Sequence, residues 1–157
     1  NVTTDASNLE RLNRWSCALE MFYERPVFGF GPGTYAFEYA RFQDPENLTI
    51  ISTNFGDMGN AHSEYLGPLS EMGLIGMLAV ILIVIVIFYK GITLYQKWPS
   101  EDREIRTLIL AMILALVTYF VHGILNNFLD TDKAAIPIWG FCAAFIGLEM
   151  VLKRKVV

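Results

Sequence analysis

His62, Arg11, Arg14, Glu64 and His122 are the side chains of this sequence best suited to chemistry, by type and by place. His62 sits in NAHSEYLGPLSEMGLIG, residues 60–76, at the head of a long apolar run. Imidazole has an ordinary pKa of about 6.5, near working pH, so it can accept a hydroxyl proton as that oxygen attacks a carbon. A lone histidine at an interface serves packing as readily as catalysis. Glu64 and Glu71 are the acids nearby. Glu64 is placed to orient His62 or hold an acceptor hydroxyl, or simply to favour the positive end of the helix that begins there. Glu71, further along, ranks behind it.

Arg11 and Arg14 lie in a segment where Leu9, Leu12, Trp15, Leu19 and Phe22 recur at helical spacing. Ser7 with Glu10 three residues on makes a capping box, and Pro26 stops the pattern, so a helix is predicted from Asn8 to Glu24. Counting roughly 100° per residue from Arg11, the apolar set spans roughly 20° to 160°, with Arg14 and Arg25 near roughly 300° and 320°. The expectation is an amphipathic helix with its apolar set buried and an arginine strip at the border. A guanidinium keeps its charge and grips a diphosphate through parallel donors, which makes the strip a candidate anion clamp. Such a strip also suits lipid headgroups without any catalytic part. Arg25, at the helix end, is equally placed to cap the last carbonyls. Gly29, Gly31 and Gly33 in PVFGFGPGTY, residues 26–35, mark a turn element. No strand precedes it and no Gly-Lys-Ser/Thr ending follows, so it is not a nucleotide-binding loop.

The elements that must position these groups are membrane helices. The chain is 54% hydrophobic, concentrated in runs at about residues 69–90, 107–126 and 134–152. Each reaches spanning length, the second with only His122 and the third with only Glu149 as an ionisable group. The expected fold is an all-α integral membrane protein: three C-terminal transmembrane helices preceded by an outward-facing amphipathic helix and loop over residues 1–68. A soluble helical core would show shorter runs and a polar stripe. The start lacks the apolar stretch of a signal peptide and does not begin with Met, so the chain reads as a fragment of a larger polytopic protein.

Basic residues set the orientation. Lys90, Lys97, Arg103 and Arg106 fall between spans one and two, and Lys153, Arg154 and Lys155 follow span three, whereas the intervening loop has only Lys133. The first loop and the tail are expected in the cytoplasm, and residues 1–68 and 126–133 outside. The net charge of −4, with no basic cluster beyond the terminal KRK, excludes a nucleic-acid footprint. Cys17 and Cys142 belong to different regions, and no disulfide is expected. Asp130 and Asp132 flank Thr131, where helix capping is simpler than cation binding, so neither metal nor other cofactor is expected.

The segment His62-Ser63, nine residues, Gly73, two residues, Gly76 resembles the His-[Asn/Ser/Gln]-x9-Gly-x-x-Gly signature of O-antigen ligases. Upstream, Arg11-x-x-x-Trp15 and Pro26-x-x-Gly29-x-Gly31-x-Gly33 resemble the stretch that precedes this histidine across the wider ligase and polymerase superfamily. The resemblance runs from Ser7 to about Trp139, and includes HGILNNFLDTDKAAIPIWG from His122. It implies a glycosyltransferase of lipopolysaccharide biosynthesis that moves a glycan from an undecaprenyl-diphosphate carrier to an acceptor. The mechanism it implies is inverting and metal-independent, on the periplasmic face of the inner membrane. The carrier diphosphate would then rest on Arg11 and Arg14, and His62 would activate the acceptor hydroxyl. The resemblance assigns His122 no step, and a hydrogen bond between helices accounts for it equally well.

A polymerase and a protein O-oligosaccharyltransferase would use the same chemistry on other acceptors. In another class, a transporter segment would use His122 and Glu149 along a path and the outward arginines to attract an anion.

Overall fold

Local sequence sets each element of the computed structural model, which describes residues 6–49, 52 and 59–156. Helix α1 is Ala6–Glu24 and α2 a single turn at Tyr35–Glu38, followed by 3₁₀ turns at Tyr39–Phe42 and Pro45–Asn47. Helices α3 (Leu66–Lys97), α4 (Arg103–His122) and α5 (Asp132–Val156) complete the chain, with a 3₁₀ turn at Phe128–Asp130. Among the described residues every regular element is helical, and α3, α4 and α5 are long and apolar enough to cross a membrane. The architecture is therefore the all-α membrane fold that the apolar runs predict. The side chains of Ser7, Asp130 and Lys155 lie outside the described residues, and with them the Ser7 half of the capping box.

Two units make up the fold, one comprising Asn1–Val80 with Gly123–Asn127 and the other Ile81–His122 with Phe128–Val157. In the second, α4 buries Ile109, Met112, Ile113 and Leu116, the spacing of one helical face, against Ile87 and Leu94 of α3 and Ile138 and Phe145 of α5. Gly91 lets the three helices close up, since a Cβ there would stand 3.0 Å from the Phe145 ring and 3.1 Å from Ile113. The buried stripe continues through Leu94 to Trp98, which is why α3 runs past the expected end near residue 90. The Trp98 N–H donates to the Leu94 carbonyl at 2.9 Å, and its indole N–H to Asp102 at 3.1 Å. Leu82, Leu114 and Ile136 are exposed, as befits helices whose outer surface meets lipid rather than water.

In the first unit the structure reverses the expected face of α1. The buried arc is Glu10, Asn13, Arg14, Cys17, Ala18 and Met21, whereas Leu12, Leu19 and Tyr23 of the apolar arc are 46%, 38% and 68% exposed. Small and polar side chains turn inward because their partners are the rings of Tyr35 and Tyr39 and the backbone carbonyl of Asn60. A helix beside a bilayer has an apolar exterior as well as an apolar core, so amphipathicity alone does not say which face meets protein.

Candidate active site

The glycines of two separated segments lock together and fix the frame of the site. Gly73 interrupts α3 with φ 64° and ψ −160°. A Cβ there would lie 2.5 Å from the carbonyl carbon and oxygen of Val27. Gly29, also at positive φ, is its counterpart, where a Cβ would come within 2.3 Å of the Glu71 carbonyl. Only glycine combines the left-handed conformation with so close a backbone approach. The Gly31 N–H donates to the Glu71 carbonyl at 2.7 Å, and the Leu74 N–H to that of Pro26 at 2.8 Å. The Glu71 carboxylate finishes the joint, accepting the Gly33 and Tyr35 N–H groups at 2.9 Å each. Gly76 faces Met72, whose Cβ would stand 2.1 Å from an added Cβ.

His62 lies just before the helix that carries this joint. Ser63 is buried and accepts the N–H groups of Tyr65 and Leu66 at 3.3 and 3.4 Å, capping the start of α3. The Glu64 N–H is shared between the carbonyls of Gly123 at 2.8 Å and Asn126 at 3.2 Å. Those carbonyls belong to the turn that ends α4 at His122, short of the expected 126. His62 itself adopts φ 47°, the left-handed region. Asn60 steadies it by accepting the His62 N–H on its side-chain oxygen at 3.0 Å. A strained backbone of this kind costs about 1 kcal/mol and persists where the surroundings enforce it. Half-burial pushes the imidazole pKa down, and the positive charges of Arg14 and Arg11 push it further, against a smaller opposing influence from Glu10.

Helix α1 supplies those charges. Arg14 donates from Nε to Glu10 Oε1 at 2.8 Å, an i, i+4 pair with side chains only 7% and 6% exposed. Its Nη1 reaches the Asn60 carbonyl at 3.5 Å and its guanidinium lies 5.2 Å from the centre of the Tyr39 ring. Tyr39 stacks on Tyr35 at 5.5 Å, and the Tyr35 hydroxyl donates to the Arg14 carbonyl at 2.7 Å. Glu10 also accepts hydrogen bonds from Ser52 and Thr49, so the buried carboxylate is saturated. Arg11, one turn earlier and closer to the surface, has an Nε that is buried without a hydrogen-bond partner among the described residues. Burial drives the Cys17 thiol up to about 12, which leaves it protonated and inert.

His62, Arg11, Arg14 and Glu10 are thus electrostatically coupled within one unit. Glu64 enters through its backbone. Arg25 leaves the strip to lie 4.4 Å from the Phe30 ring centre, a ring that Arg41 also approaches at 5.2 Å. His122 belongs to the second unit, where it is exposed and stacks on Phe128 at 5.6 Å. Among the described residues no three His, Cys, Asp or Glu side chains converge as metal ligands do. Sequence reasoning passed over Asn60 and Tyr35, read Glu10 only as half of a capping box, and weighed Glu71 only as an acid. The one available signal was Glu71's place two residues before the signature glycine.

Comparison with known proteins bears on this arrangement. A family model described as O-antigen ligase matches residues 2–81, just over half of the chain. The match contains the arginines of α1, the glycine joint and His62, and stops within α3. An uncharacterised protein of Haemophilus influenzae is 25% identical over 138 residues, which cover 87% of this chain and 33% of that protein. The chain therefore spans about a third of the length of that curated relative. No solved structure matches.

Proposed function

The chain belongs to the O-antigen ligase family, and on that footing we propose that it is the C-terminal part of a membrane glycosyltransferase acting on carrier-linked glycans. In this reading the donor is a glycan on undecaprenyl diphosphate and the acceptor a hydroxyl group, such as a sugar of a lipid A core. The observation that carries the proposal is a half-buried histidine, held through Asn60 by Arg14 and within electrostatic reach of Arg14 and Arg11, beside a glycine-built joint.

The reaction follows from what those groups do. The acceptor oxygen attacks the anomeric carbon, its proton passes to His62, and the bond from that carbon to the carrier phosphate oxygen breaks. Burial and the neighbouring cations keep His62 neutral, with its lone pair ready for the proton. As the diphosphate departs it gains negative charge, which Arg11 meets directly and Arg14 stabilises from the buried pair behind it. Attack opposite the leaving group inverts the anomeric centre, with no step that calls for a metal ion. Glu64 sits near the start of α3 for contact with acceptor hydroxyls, and His122 is a further substrate-binding candidate.

The short-loop lysines and arginines support a topology in which the α3–α4 loop and the tail are cytoplasmic and the glycine joint and His62 face the periplasm. The test is reconstitution of the full-length protein in liposomes with purified undecaprenyl-diphosphate-linked glycan and a lipid A core acceptor. The reading expects glycosylated acceptor and free undecaprenyl diphosphate in equal amounts. Carrier bound with neither product formed would overturn it.

A further inference from the structure

At the far ends of α3 and α5, within the second unit, a cleft of about 600 Å³ has no part in the proposed transfer. Lys90, Lys97 and Lys153 line it together with Glu149. Glu149 holds two of these ammonium groups apart, its Oε2 2.8 Å from Lys90 and its Oε1 2.9 Å from Lys153. Three lysines against one glutamate leave a surplus of two positive charges. Lys90 and Lys97 are seven residues apart and so share a face of α3, with Leu94 between them, and Leu152 supplies apolar wall from α5. We propose that this cleft binds the phosphodiester headgroup of an anionic phospholipid.

Several features favour a lipid over a soluble anion. The cleft opens at the end of two helices of spanning length, where headgroups lie, and Tyr89 at its edge is 66% exposed, as interfacial aromatic residues are. Its walls are mixed, with lysines for the phosphate and leucines for the start of the acyl chains. Basic pockets between transmembrane helices suit such headgroups, with each nearby lysine worth roughly fivefold in affinity. The C-terminal ends of both helices also favour cations, so a purely structural lysine cluster is the competing explanation.

The experiment is native mass spectrometry of the full-length protein titrated in detergent with phosphatidylglycerol, cardiolipin or phosphatidylethanolamine. The wild type should prefer the anionic lipids at least tenfold. Lys97→Gln, which breaks no ion pair among the described residues, should cut that preference about fivefold, and Lys90→Gln/Lys97→Gln/Lys153→Gln should abolish it. Glu149→Gln should preserve or raise it, which a structural cluster would not do, since that cluster loses its bridge. Equal retention of anionic and zwitterionic lipid by the wild type would overturn the proposal. So would an unchanged preference in Lys97→Gln, or displacement of the lipid by inorganic phosphate at matching concentration.

Discussion

Arg14 reaches the backbone that carries His62: its Nη1 donates to the Asn60 carbonyl at 3.5 Å, and Asn60 holds the His62 N–H on its side-chain oxygen at 3.0 Å. The arginine that lowers the histidine's proton affinity is thus tied to the turn that presents it. Charge and position come from the same contacts, and they can be separated by substitution.

Arg14→Ala is expected to destabilise the protein by about 3 kcal/mol, because it strands the buried carboxylate of Glu10. Glu10→Gln/Arg14→Met, which removes both charges and keeps the volume, should recover most of that loss. Thermal unfolding of the detergent-solubilised proteins measures both, and equal losses in the two would mean the pair is not coupled.

Gly73→Ala adds a methyl group where Val27 backbone atoms stand 2.5 Å away, at a φ of 64°. The left-handed penalty and overpacking together should cost roughly 2 to 5 kcal/mol. Gly29→Ala, on the other half of the joint, should cost a similar amount, whereas Gly33→Ala meets no neighbour among the described residues and should lose only the left-handed term. Denaturant titration ranks the three, and a loss for Gly33→Ala as large as for Gly73→Ala would remove the joint from the account.

Glu71→Ala should leave the Gly33 and Tyr35 amides without their acceptor. Hydrogen exchange at those two amides is expected to accelerate at least tenfold, from the roughly 1.5 kcal/mol that a bond to a charged group is worth. Protection unchanged at Tyr35 would show that the carboxylate does not hold the loop.

Much of this was legible in the sequence. Apolar runs announce α3, α4 and α5, and the spacing of Leu9 through Phe22 announces α1, because period and length follow directly from helical geometry. The signature from His62 to Gly76 picks out the candidate site, but the physical reason for its glycine is tertiary: Gly73 is required by Val27, and Val27 lies 46 residues away in sequence. The buried face of α1 was not legible. Amphipathic patterning assumes water outside, and here the side of α1 turned away from the rest of the first unit is the apolar one. Nor was the buried Glu10–Arg14 pair legible, since Tyr39, which lies against the Arg14 guanidinium, and Thr49 and Ser52, which bond to Glu10, are all distant in sequence.

The pH dependence of turnover tests the electrostatics of the site. An unperturbed histidine would lose half of its neutral form at about pH 6.5. Burial and the two arginines lower that point for His62, so the acid limb of kcat/KM should lie below pH 6.5. Arg11→Gln removes one of the cations and should move the limb upward while raising the KM for the carrier. A limb at or above pH 6.5 in the wild type, or one unmoved by Arg11→Gln, would contradict the placement of these charges.

The central claim is that His62 takes the acceptor's proton, and it is tested most directly by His62→Ala in the full-length enzyme. Transfer from carrier-linked glycan to acceptor should be measured beside carrier binding on the same preparation. The account predicts a fall in kcat of roughly 10² to 10⁴ with carrier affinity and thermal stability near wild type. Wild-type turnover in His62→Ala, or a loss confined to carrier binding, would contradict it.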